Sequence, residues 1–399
     1  MTGATETEAT LGSATTELSL PAWTYDNAEF FELERERIFM RSWQVVCHLN
    51  DIPDPGDYFV FDFLSEPLVV VRGDDGVARG FYNVCRHRAA RLLDGEAGGA
   101  TGTCPGRIRC PYHAWTYDLQ GNLSNVPREA AYPGLDKAAH GLVPLETETW
   151  FGFVFVRCEP GGPSVADMMA PFEDEIRPYR FEEMRATGRV TLRPRRVNWK
   201  NLTDNYMDGL HISVAHKGLK GIVGRTYALD SREHVQRMSG EIDIAAGAGW
   251  SEKAYAALLP DQPHLPPSHK RHWRYYLLWP NIAFDVYPDQ IDFMQMIPLS
   301  PTETLIREIP YALPDSSREM RLARYLNWRI NRVVNAEDHD LIERVQAGMR
   351  SRSFSQGPFS EDEICLTAFA RKMRRILPVC RLPDPPPPGG IKASLRTAD

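Results

Sequence analysis

Two stretches of sequence indicate the fold of this chain. They are FYNVCRHRAARLL at residues 81–93 and CPYHAWTYDLQGNL at residues 110–123. They contain a Cys-x-His motif and a Cys-x-x-His motif, with 22 residues between the two, formed by Cys85, His87, Cys110 and His113. Each half places one thiolate and one imidazole on a tight turn, so two loops can hold a metal centre from opposite sides. The pattern therefore predicts a metal site between two loops.

The sequence around these motifs predicts a small β domain. From about Gln44 to Cys158 it consists of short β-type runs such as DYFVFDF and GFVFVRC, separated by turns rich in Gly and Pro. Such runs and turns are typical of a compact antiparallel sheet.

Two kinds of metal centre fit four such ligands. In a Rieske [2Fe–2S] cluster two cysteines hold one iron and two histidines hold the other. A structural zinc site takes the same ligands, but zinc sites usually pair Cys with Cys and His with His. Because each half is mixed here, the cluster is favoured and zinc stays the alternative.

A second group of metal ligands is predicted at residues 198–216, NWKNLTDNYMDGLHISVAH, which contain Asp208, His211 and His216. Five residues of α-helix turn a side chain about 140° away from a common face. The two histidines can therefore share a metal only where the helix ends or contains a π-type irregularity. Two histidines and one carboxylate with open positions are the ligand set of non-haem iron(II) oxygenases.

Taken together, these motifs resemble the catalytic α subunits of Rieske non-haem iron oxygenases, in the branch of the phenylpropionate and betaine enzymes. The resemblance assigns Cys85, His87, Cys110 and His113 to the cluster, and His211 and His216 to the mononuclear iron. It makes Asp208 the catalytic acidic residue that links the cluster of one subunit to the iron of the next. The third iron ligand is expected in the segment NAEDHDLIERVQAGMRS at residues 335–351, at Asp338, with Asp340 as second choice.

The resemblance also implies the cofactors and partners. The cofactors are a [2Fe–2S] Rieske cluster and one Fe(II), with electrons from NAD(P)H through a separate reductase, with or without a ferredoxin. The chain has no Gly-rich dinucleotide fingerprint of its own. The other partners are O2, a small-molecule substrate and further copies of the chain in a homotrimer, with or without a small β subunit.

Helices and strands do not alternate regularly along the chain, which favours an α+β fold. The resemblance implies a small all-β Rieske domain and a larger helix-grip catalytic domain built on an antiparallel sheet. We expect a disordered leader at 1–19, an N-terminal helix packing on the catalytic domain at 20–43, the Rieske domain at 44–158, the mononuclear iron domain at 165–380 and a Pro-rich tail at 381–399.

Composition limits the other classes of function. The 399 residues are 43% hydrophobic and carry a net charge of −7, which argues against non-specific nucleic-acid binding. No window approaches 18 uncharged apolar residues, and the N-terminus lacks the features of a secretory signal. We therefore expect a cytoplasmic protein that is not membrane-bound and whose seven cysteines are not a disulfide framework.

Substrate and partner surfaces are less clearly indicated. We expect hydroxylation of a small aromatic compound or aromatic acid; the alternatives are N- or O-demethylation of a methylated amine, betaine or methoxy compound, and a Rieske electron carrier without oxygenase activity. Eight aromatic residues line either a substrate pocket or the core; they are Trp250, Tyr255, Trp273, Tyr275, Tyr276, Trp279, Phe284 and Phe293. The arginines of the cluster loops either steer an acidic electron donor, or are solvated or paired with Asp94 and Glu96.

Overall fold

The structure is a computed structural model that describes residues 17–95 and 100–391. Most of the predicted leader, and the end of the tail beyond residue 391, lie outside these residues. Glu17, at the end of the predicted leader, forms an ion pair with Arg371 at 2.9 Å, and Leu18 pairs with Pro358. No helix in the described part of the chain is long and apolar enough to cross a membrane.

The described residues between 44 and 157 form short antiparallel strands, as the alternation of apolar runs and Gly/Pro turns predicted. The strands are β1 Gln44–His48, β2 Asp57–Phe63, β3 Glu66–Arg72, β4 Ala78–Tyr82, β5 Ala100–Thr103, β6 Ile108–Arg109, β7 Thr116–Tyr117, β8 Leu123–Asn125, β9 Glu146–Trp150 and β10 Phe153–Arg157. They form sheets in the orders β4-β3-β2-β5, β6-β7-β8 and β1-β10-β9. The two motif loops therefore follow β4 and β6.

The second part of the chain is built on one antiparallel sheet of eight strands. These strands are β11 Arg185–Ala186, β12 Thr191–Arg195, β13 Ala228–Ser231, β14 Val235–Glu241, β15 His272–Leu278, β16 Ile282–Val286, β17 Ile291–Ser300 and β18 Glu303–Ala312. Their order is β11-β18-β17-β16-β15-β14-β13, and β12 also pairs with β18. The α+β fold class is confirmed.

Helices pack on both faces of this sheet. They are α1 Ala28–Arg37, α2 Val165–Met169, α3 Glu173–Ile176, α4 Trp199–Met207, α5 Ile212–Ala215, α6 Lys217–Ile222, α7 Trp250–Leu258, α8 Arg318–Gly348 and α9 Ile364–Ile376. The 31-residue helix α8 contacts α4, α6 and α7, and α4 contacts β17. This arrangement brings the ends of α4 and α5 against the middle of α8.

Helix α1 packs on the catalytic part of the chain through a buried polar contact. The Nζ of Lys200 on α4 lies 2.6 Å from Oε1 of Glu34 on α1, and both side chains are fully buried. Trp199 Nε1 donates a hydrogen bond to the same carboxylate, and Tyr25 donates one to Asp204. These contacts tie the N-terminal segment to α4.

The Pro-rich tail differs from the prediction of an extension outside the core. Trp23 Nε1 donates a 2.9 Å hydrogen bond to the carbonyl of Leu382, and the backbone N–H of Gly389 donates one of 2.7 Å to Glu29. Ile391 is 1% exposed and belongs to the main apolar cluster. Ile391 thus adds a buried apolar contact beyond the prolines, which the Pro-rich composition does not indicate.

Candidate active site

The two motif loops have the same backbone geometry. The N–H of Ala89 donates to the carbonyl of Cys85 at 3.0 Å, and the N–H of Ala114 donates to that of Cys110 at 3.1 Å. Ala89 and Ala114 both adopt the left-handed conformation, with φ of 56° and 59°. This conformation is unusual for alanine and reverses the chain tightly after each cysteine. The loops therefore form a matched pair.

The side chains of the loops converge as the motifs predicted. Cys85 and Cys110 are buried, and their thiols lie close enough to interact. The rings of His87 and His113 have centroids 4.6 Å apart, and His87 stacks on Trp115 at 4.9 Å. The Nδ1 atoms of both histidines are buried, and neither has a hydrogen-bond partner among the described residues. Buried imidazole nitrogens without partners fit metal ligation by these residues.

A single metal ion fits the loop residues less well than a cluster does. A metal ion needs at least three ligand atoms close to one another. Among the described residues, only His211, His216 and Asp338 form such a group, with their ligand atoms all within 4.8 Å of one another. The Cys and His residues of the loops do not meet this condition, although a tetrahedral zinc site requires it. The loop geometry therefore favours a two-iron cluster over zinc.

The helix that contains the second motif is interrupted, so that both histidines can reach one metal. Helix α4 ends at Met207, and Asp208 is extended, with φ −76° and ψ 120°. His211 precedes the short helix α5, and His216 follows it. The helix therefore ends ahead of Asp208, which is one of the two conditions that the spacing set for a metal shared by the histidines. Both imidazoles consequently face the same side.

Three predicted residues meet beside α8. His211 Nε2 lies 3.0 Å from His216 Nε2, and Asp338 Oδ1 lies 2.9 Å from His216 Nε2 and 3.5 Å from His211 Nε2. Asn205 donates a 3.0 Å hydrogen bond to the same carboxylate oxygen. Asp340, the second choice, is exposed on another face of α8. Two imidazoles and one carboxylate form the facial set suited to iron(II).

Two further carboxylates contact the Nδ1 atoms of the two histidine rings. Asp208 Oδ2 lies 3.0 Å from Nδ1 of His211, and Glu337 Oε2 lies 2.8 Å from Nδ1 of His216. Such contacts orient a metal-binding imidazole and fix the nitrogen that carries its proton. The sequence interpretation did not include Glu337, although it directly precedes Asp338. Asp208 contacts His211 within one chain, and its link to a neighbouring cluster stays a prediction.

The electrostatics of this group favour a bound cation. Burial opposes protonation of His211, but hydrogen bonds with Asp208 and Asp338 outweigh it and raise the pKa of His211 to about 9. Burial also disfavours the charged form of Asp338, but hydrogen bonds with His211 and His216 lower its pKa to about 2. The carboxylates stay negative and attract positive charge, which is the environment that a metal ion requires.

A cavity of about 990 Å³, counting its open mouth, borders the three residues. Its apolar wall comprises Leu202, Ile212, Leu219, Met294, Met296, Ile306, Val334 and Ile342. Its polar wall includes Tyr206, Tyr227, Tyr275, Arg193, Arg195, Asp285, Asp292 and Glu308.

Of the aromatic residues proposed for the pocket or the core, the described structure places only Tyr275 in this wall. Trp250 is 70% exposed. Trp279 borders another cavity. The buried core holds Tyr255, Trp273, Tyr276, Phe284 and Phe293. The sequence interpretation missed Tyr206 and Tyr227, since no regular spacing marks them as pocket residues.

Most of the arginines near the cluster loops are exposed. They are Arg86, Arg88, Arg107 and Arg109. Arg91 instead pairs with Asp62 at 3.0 Å, which corrects the predicted partners Asp94 and Glu96; Glu96 lies outside the described residues. Arg88 lies over the ring of Tyr112, with its guanidinium carbon 5.3 Å from the centroid. The exposed arginines are available to an electron donor.

Comparison with known families gives two successive matches. Residues 42–143 match the Rieske [2Fe-2S] domain, and residues 181–378 match the ring hydroxylating alpha subunit (catalytic domain).

Relatives and solved structures extend these matches over most of the chain. The carnitine monooxygenase oxygenase subunit of Acinetobacter baumannii is 31% identical over 86% of this chain and 90% of its own length. The alpha subunit of 2-aminobenzenesulfonate 2,3-dioxygenase of Alcaligenes sp is 28% identical over 88% of this chain and 92% of its own length. The crystal structure of a quaternary ammonium Rieske monooxygenase with an inhibitor has a TM-score of 0.76 at 26% identity, covering 90% of this chain and 96% of that one.

Proposed function

Because this chain belongs to the Rieske non-haem iron oxygenases, as a catalytic α subunit with a Rieske [2Fe–2S] cluster and a mononuclear iron, we propose that it oxidises a small substrate carrying a methylated, positively charged nitrogen. Enzymes of this family act on small molecules with O2 and with electrons from a reductase, and they are multimeric. The membership replaces two alternatives raised by the sequence, a zinc scaffold and an electron carrier without oxygenase activity.

We assign the ligands of both centres by the geometry described above. Cys85 and Cys110 hold one iron of the cluster, and His87 and His113 hold the other. The mononuclear iron is held by His211, His216 and Asp338. When bound, this iron binds and activates O2 with electrons stored by the cluster. The division into a Rieske domain at 44–158 and a catalytic domain at 165–380 is part of the same proposal.

The chain's own residues prepare the site for this chemistry. Asp208 and Glu337 hold the two imidazoles in the orientation in which Nε2 faces the cavity. Asn205 fixes the carboxylate of Asp338 through a hydrogen bond to Oδ1. The apolar wall limits the water beside the proposed ligands, which would suppress side reactions of activated O2 there.

The polar wall of the cavity carries the proposal for the substrate. Tyr206, Tyr227 and Tyr275 line it together with Asp285, whose Oδ1 accepts a 2.5 Å hydrogen bond from Tyr206. A fully methylated ammonium group has no N–H to donate, so proteins bind it through aromatic faces and nearby negative charge. This wall offers both, beside the proposed iron ligands.

Two facing carboxylates strengthen this argument. Asp285 on β16 and Asp292 on β17 stand directly opposite each other in the sheet. Like charges in that position destabilise a sheet. Burial raises the pKa of Asp285 to about 7 and that of Asp292 well above its ordinary value. A cationic substrate would favour the charged carboxylates that burial disfavours, which gives the pair a role in binding.

An aromatic substrate, the first expectation from the sequence, is the second candidate. Eight aliphatic or Met side chains line the cavity, and the alpha subunit of an aminobenzenesulfonate dioxygenase is among the relatives. Neither observation explains the paired carboxylates, so the cationic substrate is preferred.

The experiment is a turnover assay with the iron-loaded protein and a reductase. Carnitine, glycine betaine and aromatic acids are supplied separately, and O2 uptake and formaldehyde release are measured. We expect O2 uptake coupled to formaldehyde only with methylated ammonium compounds. Coupled turnover of an aromatic acid, with none of a methylated ammonium compound, would contradict the proposed substrate class. A His216→Ala variant serves as the inactive control.

The assembly and the location of the protein are also proposed. We infer a homotrimer in which Asp208 of one copy faces His87 or His113 of the next, because electrons must pass from cluster to iron. The exposed surface next to Asp208 supports this contact, since Leu210 and Val214 are 44% and 81% exposed. A cytoplasmic location stays a prediction from the sequence.

A further inference from the structure

A second, wider cleft opens onto the cavity of the candidate active site. The cleft has a volume of about 2190 Å³, counting its open mouth, and leads to the surface beside α8. Arg193, Arg195, Asp292 and Glu308 border both the cleft and the inner cavity. The cleft is therefore a route from solvent to the proposed iron ligands, and these residues stand at the passage between the two spaces.

The charges of the cleft and of the inner cavity differ. Six arginines border the cleft against three carboxylates, Asp292, Glu308 and Asp315. In contrast, two arginines border the inner cavity against five carboxylates. A molecule that occupies both spaces thus meets negative charge near the proposed iron ligands and positive charge near the mouth.

One of the arginines at the passage, Arg195, forms no ion pair with the described residues. Arg193 forms an ion pair with Glu308. Arg195 donates to the carbonyl of Pro194 at 3.2 Å, and no carboxylate of the described chain lies within ion-pairing distance of it. Burial and the neighbouring Arg193 disfavour the charged form of Arg195 and lower its pKa, while Glu343 and Glu308 act from farther away in the opposite direction. An anion at Arg195 would compensate both unfavourable effects.

We propose that Arg195 binds the carboxylate of a zwitterionic substrate whose methylated ammonium group lies against Asp285 and Asp292. Arg195 is thus a residue that determines specificity, and the preferred substrates carry an anionic group at the end opposite the methylated nitrogen. This inference rests on the proposed function for the cationic end, and it adds a second subsite to it.

Binding of three probes separates the two ends of the pocket. γ-Butyrobetaine carries both charges, tetramethylammonium carries only the positive one, and butyrate carries only the negative one. Calorimetric titration of the iron-loaded wild type should give the tightest binding for γ-butyrobetaine. The variant Arg195→Gln should bind γ-butyrobetaine about 10- to 100-fold more weakly, which is the usual effect of losing a hydrogen-bonded charge partner. Its affinity for tetramethylammonium should stay unchanged.

The neighbouring residue provides the control. Arg196 is exposed and borders neither space, so Arg196→Gln removes the same charge without changing the subsite. This variant should bind all three probes like the wild type. In Arg195→Lys the positive charge is kept, and part of the affinity for γ-butyrobetaine should return.

Each other outcome is decisive. Equal affinity of wild type and Arg195→Gln for γ-butyrobetaine would overturn the role of Arg195 while leaving the cationic subsite intact. Binding of butyrate that depends on Arg195, without binding of tetramethylammonium, would refute the proposed methylated ammonium substrate and support the anion subsite. Binding of none of the probes to the wild type would refute both.

Discussion

Glu337 is expected to control iron affinity although it does not face the metal site. Its Oε2 accepts from Nδ1 of His216 at 2.8 Å, while Nε2 of the same ring lies 2.9 Å from Asp338. Glu337→Gln removes the negative charge and leaves the imidazole free to rotate and to change tautomer. Loss of such an orienting partner typically weakens metal binding 10- to 100-fold, or about 1.4–2.7 kcal/mol.

The assay is competition for iron(II) with a chelator of known affinity, followed anaerobically for wild type and variant. The Rieske cluster supplies an internal control, because its absorption and electron paramagnetic resonance signals should not change. Glu343→Gln on the same helix removes a carboxylate that is 44% exposed, against 34% for Glu337, and that lies 3.7 Å from His339 instead. Equal iron affinity in Glu337→Gln and Glu343→Gln would refute the orienting role.

Three further predictions concern other parts of the molecule. Lys200→Met leaves Glu34 buried without its partner, and should lower the free energy of unfolding by about 3–5 kcal/mol. Because burial raises the pKa of Glu34, the folded state of this variant takes up a proton more readily than the unfolded state. The loss in thermal denaturation should therefore shrink as the pH falls, and a loss that grows towards acid would contradict this. Reversing charge with Arg88→Glu and Arg107→Glu should raise the KM for the reductase several-fold at low salt, and less at high salt; unchanged kinetics at both would dismiss the steering role. Tyr117→Phe removes a hydroxyl that lies 3.4 Å from a cluster thiol, and should lower the reduction potential of the cluster in a redox titration; an unchanged potential would show that this contact does not tune it.

The residues that we propose as metal ligands could be picked out from the sequence because their signals are local. Each cluster loop spans a few residues, and Cys85 with His87 or Cys110 with His113 states the ligand types directly. For His211 and His216, the spacing allowed a shared metal only if the helix ended or contained a π-type irregularity, and in the structure α4 ends before them. The choice of Asp338 came from the resemblance.

The residues that shape the pocket were not predictable in the same way. Glu337 is one of several acids on α8, and only the packing of that helix brings it to His216. Tyr206 lies inside the motif at residues 198–216, but nothing in the sequence indicates which way its side chain points. Arg195 is one of four arginines between 189 and 196, and only the cavity distinguishes it.

Some elements of the fold were hidden by their composition. No strand was predicted at Ala228–Ser231 or Val235–Glu241, although both belong to the main sheet. Their sequences are largely polar, and Gln236 and Ser239 are buried. Apolar alternation, on which strand prediction depends, is therefore absent from them.

The central claim is that one chain holds two different iron centres, and iron counting in a His216→Ala variant tests it most directly. The wild type, loaded anaerobically, should contain about three irons per chain, two in the cluster and one at the open site. The variant should lose one iron and all oxygenase activity, and keep the full Rieske resonance signal. If the variant kept the same iron content as the wild type, or if the loaded wild type contained only the two cluster irons, the second centre would not exist as described.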